Sequence, residues 1–249
     1  WTVCNNVKRK LIASIILNCL LILGLMIVLV HFGAAAKPVE KVQENVVPET
    51  AILKSTYYMI KNDMFKNAED STDEIVFLGD SLIDINDWEN DFPDKNIVNQ
   101  GINGDTTYGV LNRVDNLVRL KPEKVFIMIG INDIAKELDT EKLLENYNDI
   151  LSEIILGSPD TEIYVQSILP INQKIAEQYY PLKDGNKIIS TINDKLEKIA
   201  ADQNVIYLDL YPNFLNSDAD LDSSFTLDGL HLNEKGYQLW VEEISNLVE

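Results

Sequence analysis

A hydroxyl at Ser81, an imidazole at His231, a carboxylate at Asp228 and a side-chain amide at Asn132 are together the parts list of serine-dependent ester hydrolysis. That chemistry needs a nucleophile, a base to take its proton, a group to orient the base, and donors for the oxyanion that develops on the substrate. The chain has two histidines. His31 borders a long apolar run and reads as an interfacial residue, which leaves His231 as the imidazole of the globular part. Asp228 lies three residues before it, in "DGLHLNEKGY", on a stretch that reads as a loop and can turn back onto one ring nitrogen while the other faces Ser81. For oxyanion donors the natural trio is the Ser81 backbone N–H, the Gly104 N–H and the Asn132 amide. A glycine lets substrate approach the backbone closely, and an Asn amide donates without adding charge.

The elements that must position these residues follow from hydrophobic pattern. Apolar, β-branched runs occur at 75–78, weakly at 97–98, and at 124–129, 162–168 and 205–210. Between and after them lie helical patterns at 106–119, 140–156, 187–202 and 233–248; Leu143, Leu144, Tyr147, Ile150, Leu151, Ile154 and Ile155 make one apolar face. Such alternation predicts a parallel sheet covered on both sides, whose chemistry sits beyond the carboxyl ends of the strands. "GDSL" follows the first run, "NQGINGDTT" the second, "GIND" the third and "DGLH" the fifth.

Each motif alone has a plainer account. Ser81 with Asp84 fits the helix-capping pattern [ST]-x-x-[DE]; Gly101 and Gly104 suit any tight turn; Asn132 can cap the turn after its strand; Asp228-Gly229 is a common turn pair. Type, order and strand-end location agree only under the catalytic reading. In this respect the chain resembles the SGNH, or GDSL-type, hydrolases, through Ser81 in "GDSL", Gly104 in "NQGINGDTT", Asn132 in "GIND", and Asp228 with His231 in "DGLH". The resemblance spans residues 51–249 and is closest to the small branch similar to platelet-activating-factor acetylhydrolase and bacterial carbohydrate O-acetylesterases. It implies a flavodoxin-like three-layer α/β/α fold with five parallel strands, a nucleophilic serine, and no metal or organic cofactor. No G-x-S-x-G elbow of the commoner hydrolase fold occurs.

The net charge of −19 argues against nucleic acid as a partner, since phosphate binding needs clustered Lys and Arg. Leu11 to Val30 is an uncharged apolar run preceded by Lys8, Arg9 and Lys10. Twenty helical residues span about 30 Å, so the run predicts one N-terminal transmembrane helix, with the N-terminus in the cytoplasm and the rest outside. A cleaved signal peptide ending near Ala34-Ala35-Ala36 is the alternative, although the run exceeds the usual h-region of about 7–15 residues. The expected divisions are 1–36 for the stub and anchor, 37–50 for a linker, and 51–249 for the hydrolase domain, in which 51–68 forms a helix on the domain's edge. Both cysteines, Cys4 and Cys19, fall before the domain, which excludes a disulfide framework there. "DADLD", Asp218 to Asp222, starts like an EF-hand but carries Ser223 and Gly229 where that loop needs Gly and Glu, and reads as a solvated acidic loop.

The expected function is an extracytoplasmic serine esterase acting on short-chain, acetyl-type esters of a small molecule or glycan. Asp80, Ile83, Ile85 and Trp88 after the first strand, with the connection 169–185, are the expected substrate contacts. Two alternatives stay open: a lysophospholipase or thioesterase taking long chains, and an inactive glycan-binding module on the same fold.

Overall fold

The run Ile75–Leu78 has no polar alternation, as a strand buried on both faces requires. In the computed structural model, which describes residues 49–69, 73–180 and 182–249, it is the centre of β1 (Glu74–Gly79), buried along its whole length. β2 (Asn96–Gly101), β3 (Lys124–Met128), β4 (Glu162–Gln166) and β5 (Ile206–Leu208) complete a five-stranded sheet of order β2-β1-β3-β4-β5, every pairing parallel. That order is the flavodoxin-like one. The anchor, the signal-peptide alternative and nearly all of the linker lie outside the described residues. Among the described residues no helix is long and apolar enough to cross a membrane.

Alternate side chains of the strands feed two cores. Val76, Leu78, Val125, Ile127 and Val165 pack with Leu117, Tyr147, Ile150, Leu151, Ile154, Ile189 and Leu196 from the helices Val114–Leu120, Thr140–Gly157 and Gly185–Asp202. Ile75, Phe77, Phe126 and Met128 pack on the other face with Trp88 and with Tyr237, Trp240 and Ile244 of the helix Glu234–Val248. The second core is an aromatic stack: Phe77 lies 4.1 Å from Trp88 and 5.1 Å from Phe126, which lies 4.6 Å from Tyr164, all nearly parallel.

Three elements differ from expectation. The helical pattern 106–119 is two helices, Thr107–Leu111 and Val114–Leu120. The break falls at Arg113, whose guanidinium is fully buried and reaches Asp105 Oδ2 at 2.9 Å and the Gly79 carbonyl at 3.1 Å. A buried guanidinium must find such partners, and their position overrides helix continuity. The segment expected as one helix over 51–68 is a 3₁₀ turn, Glu49–Lys54, followed by the α-helix Thr56–Lys66 capped by Ser55. The last apolar run gives only three strand residues, because the Leu210 and Tyr211 N–H groups turn to Ser167 Oγ.

Candidate active site

Three turns at the carboxyl ends of β1, β2 and β3, and one loop well after β5, carry the predicted residues. β1 ends at Gly79 and a single helical turn, Ser81–Asp84, follows. Its cap is Asp80, whose carboxylate accepts the Leu82 N–H at 3.1 Å. Ser81 is therefore the first helical residue and not the cap, which corrects the capping pattern read from Ser81 and Asp84. The difference matters chemically, because a capping hydroxyl would already be engaged with the backbone.

The Ser81 hydroxyl lies instead 3.0 Å from His231 Nε2. His231 Nδ1 lies 2.7 Å from Asp228 Oδ2. A carboxylate only accepts, so Nδ1 carries the proton and Nε2 is left to accept from Ser81. The three-residue spacing has a physical basis. Asp228 Oδ1 accepts the backbone N–H groups of Leu230 at 2.9 Å and His231 at 2.8 Å, closing a turn that aims Oδ2 at the ring. Gly229, at φ +87°, makes that turn possible, and Thr226 Oγ1 ties it down by accepting from the Gly229 N–H and donating to the His231 carbonyl. Burial pushes the Asp228 carboxyl up, but the imidazole and the two N–H donors outweigh it and hold the group below its ordinary range. Asp228 is thus an anion throughout the neutral range. Tyr180, which sequence reasoning missed, stands edge-on to the imidazole with its O–H 3.4 Å from Asp228 Oδ2. Its only sequence signal is its place in the connection 169–185.

The donor side is also assembled. Asn132 is the second residue of the helix Ile131–Ala135 after β3, and its Nδ2 is buried with no hydrogen-bond partner among the described residues. Leaving such a donor unpaired costs about 1–3 kcal/mol, a cost expected where an incoming group will pair with it. Gly104, at φ +77°, turns the chain after β2, and its N–H has no protein acceptor among the described residues. Behind this surface lies a charged layer that the sequence did not announce. Asp133 accepts the Thr107 hydroxyl at 2.6 Å, Arg113 pairs with Asp105, and Lys136 Nζ donates to the Gly104 carbonyl at 3.1 Å.

Three expected substrate contacts are corrected. Asp80, Ile83 and Trp88 are 1%, 0% and 1% exposed. Asp80 caps a helix, Ile83 fills the core, and Trp88 stacks on Phe77 while its indole N–H donates to the Ile83 carbonyl at 2.9 Å. None has surface left for a ligand. Ile85, by contrast, is open to solvent, as are Tyr179 beside Tyr180 and Leu227 beside Asp228. Among the described residues no group of three or more His, Cys, Asp or Glu side chains is arranged to hold a metal ion.

Burial also sets the charge of Asp80. Loss of solvent pushes its carboxyl up to about 7, with the Leu82 N–H only partly opposing and Asp105 and Asp133 adding to the rise. In the unfolded chain the group ionises at about 3.9. Between about pH 4 and 7 the folded state therefore holds a proton that the unfolded state has lost, and stability declines as pH rises through that window. Asp80→Asn keeps the acceptor for Leu82 and removes the titration. Thermal unfolding at stepped pH is expected to show a shallower decline in this variant, the remainder belonging to Asp133, which burial raises to about 6, and to Asp105, which burial also raises. Equal slopes for variant and wild type would count against a protonated Asp80.

Against this geometry, the model of the GDSL-like Lipase/Acylhydrolase family matches residues 77–239. The chain belongs to that family. This GDSL-like hydrolase is 28% identical over 194 residues to the platelet-activating factor acetylhydrolase IB subunit alpha2 of Rattus norvegicus, covering 75% of this chain and 81% of that protein. A solved structure from Streptococcus pneumonia, described under the name platelet activating factor, superposes with a TM-score of 0.72 at 26% identity, covering 81% of this chain and 96% of that one. The acetyl xylan esterase AlAXEase shares the fold, with a TM-score of 0.58 at 20% identity over 71% of this chain and all of that one.

Proposed function

We propose that this GDSL-like hydrolase is a membrane-tethered, extracytoplasmic serine esterase that removes short acyl groups, acetyl above all, from a carbohydrate. Ser81 Oγ attacks the ester carbonyl as His231 Nε2 takes its proton. Asp228 holds the ring in the required tautomer and stabilises the imidazolium. The oxyanion is received by the N–H groups of Ser81 and Gly104 and by Asn132 Nδ2. His231 then returns the proton to the departing alcohol, and water, activated by the same imidazole, releases the acid and restores Ser81.

The observation that carries this reading is the continuous path Ser81–His231–Asp228, at 3.0 and 2.7 Å, beside an unpaired Asn132 amide. The acetyl preference is supported by the names of the relatives, an acetylhydrolase and an acetyl xylan esterase. A sugar as the alcohol portion is supported by the exposed Tyr179 ring beside Tyr180, which itself stands against His231; Tyr179 offers a flat face on which a pyranose can pack. The outside location rests on Lys8-Arg9-Lys10 before the Leu11–Val30 run, and the division into anchor, linker and a domain from residue 51 goes with it. A second reading, hydrolysis of long acyl chains, draws on Ile85 and Leu227, the latter 85% exposed, as an apolar rim.

Turnover of p-nitrophenyl esters from acetate to palmitate separates the two. Activity confined to acetate and propionate, followed by release of acetate from acetylated glycans, is the expected result. A kcat/KM that climbs with chain length would replace the sugar reading with the lipid one.

A further inference from the structure

The helix Thr56–Lys66 lies before the family-matched residues 77–239, and its sequence suggests no more than an edge element. Its polar contacts say otherwise. Asp84, the last residue of the turn that begins with Ser81, is almost wholly enclosed, with a side chain 7% exposed. Its carboxylate accepts from Tyr57 O–H at 2.7 Å and from Lys61 Nζ at 2.8 Å, both on that helix. The same carboxylate accepts the backbone N–H of Asn103 at 2.9 Å. Asn103 immediately precedes Gly104.

The direction of the Gly104 N–H is set by the Asn103–Gly104 peptide plane. Hydrogen bonds fix the peptides on either side of that plane: Asp84 holds the preceding one through the Asn103 N–H, and Lys136 holds the following one through the Gly104 carbonyl. The segment before the helix adds contact, since Ile52 is the neighbour nearest to Gly104 on its side-chain face, and within the helix Tyr58 O–H donates to the Gly109 carbonyl at 2.7 Å. Lys61 has a second effect. A bare carboxylate this close to an oxyanion site would oppose the charge that develops there, and the ion pair with Lys61 offsets it.

We propose that Asp84, held by Tyr57 and Lys61, is a positioning residue that aims the Gly104 N–H, so that the helix Thr56–Lys66 is a working part of the active site. This rests on the oxyanion role given to Gly104 above. Nothing in Asp84 touches substrate; it acts through the backbone of Asn103, whose position sets the orientation of the next peptide.

The test uses the full-length chain with Asp84→Asn, and with Tyr57→Phe and Lys61→Met as milder variants that leave Asp84 in place. Three quantities are read: kcat and KM on p-nitrophenyl acetate, inhibition by phenylboronic acid as a tetrahedral adduct mimic, and the amide resonance of Gly104 in glycine-labelled protein. Misaiming one donor is expected to lower kcat by about 10- to 100-fold in Asp84→Asn, with KM little changed. Boronate affinity should weaken in step, and the Gly104 amide should shift in all three variants. A folded Asp84→Asn protein with kcat and boronate affinity within about twofold of wild type would overturn the proposal, as would loss of thermal stability alone. If wild type itself shows no turnover, the esterase reading fails separately; the Gly104 resonance then decides, an unmoved peak in all three variants refuting the clamp and a shifted one supporting it.

Discussion

Ser81→Ala is expected to lower turnover of p-nitrophenyl acetate by at least about 10⁴-fold while leaving the fold and its stability in place. Both halves of that expectation come from the same turn. Among the described residues the hydroxyl makes one polar contact, to His231 Nε2, and the helix it opens is capped by Asp80. Were Ser81 the cap, its removal would cost about 1 kcal/mol and lower the melting temperature. With Asp80 in that position, unfolding midpoints of the two proteins should nearly coincide. Labelling by a fluorophosphonate should vanish in the variant. A variant that keeps more than a few percent of wild-type activity would remove Ser81 from the nucleophile's role.

Asn132→Ala should lower kcat by about 10²- to 10³-fold, the usual consequence of deleting one oxyanion donor, with little change in KM. Stability should move the opposite way. The Asn132 amide nitrogen is buried and unpaired among the described residues, so the free enzyme carries its desolvation cost and truncation relieves it. A protein that is slower yet melts at the same or a higher temperature is the signature of a group kept for the transition state and not for the fold. Loss of stability with kcat intact would mean that Asn132 is a structural residue.

The strands that read clearly, at 75–78, 124–129 and 162–168, are those buried on both faces, where apolar content alone is the signal. β2 was faint because Asn99 and Gln100 occupy it. Asn99 spends its amide on the Ile83 carbonyl and accepts the Gly101 N–H, so it serves the turn beside Ser81 and not the sheet. The candidate site was legible where residue types are scarce: a single histidine in the globular part has few possible partners. It was illegible where geometry decides. Ile83 and Trp88 follow Ser81 closely, but a helix of four residues is too short for periodicity to show which side faces the core. The links from Asp133 to Thr107, from Arg113 to Asp105 and from Asp84 to Tyr57 join distant segments, and no local pattern announces them.

Gly229 places a limit on how this site can vary. Any Cβ there would stand 2.5 Å from the Ala176 nitrogen and 2.8 Å from the Asn172 carbonyl oxygen, at a backbone angle that side chains rarely adopt. Both obstacles are main chain, so repacking neighbouring side chains cannot relieve them. Every single-base change that alters a glycine codon's residue introduces a Cβ. Mutational drift around Asp228 and His231 must therefore proceed at fixed Gly229, and a laboratory library that randomises this loop will return its active members from the glycine fraction alone.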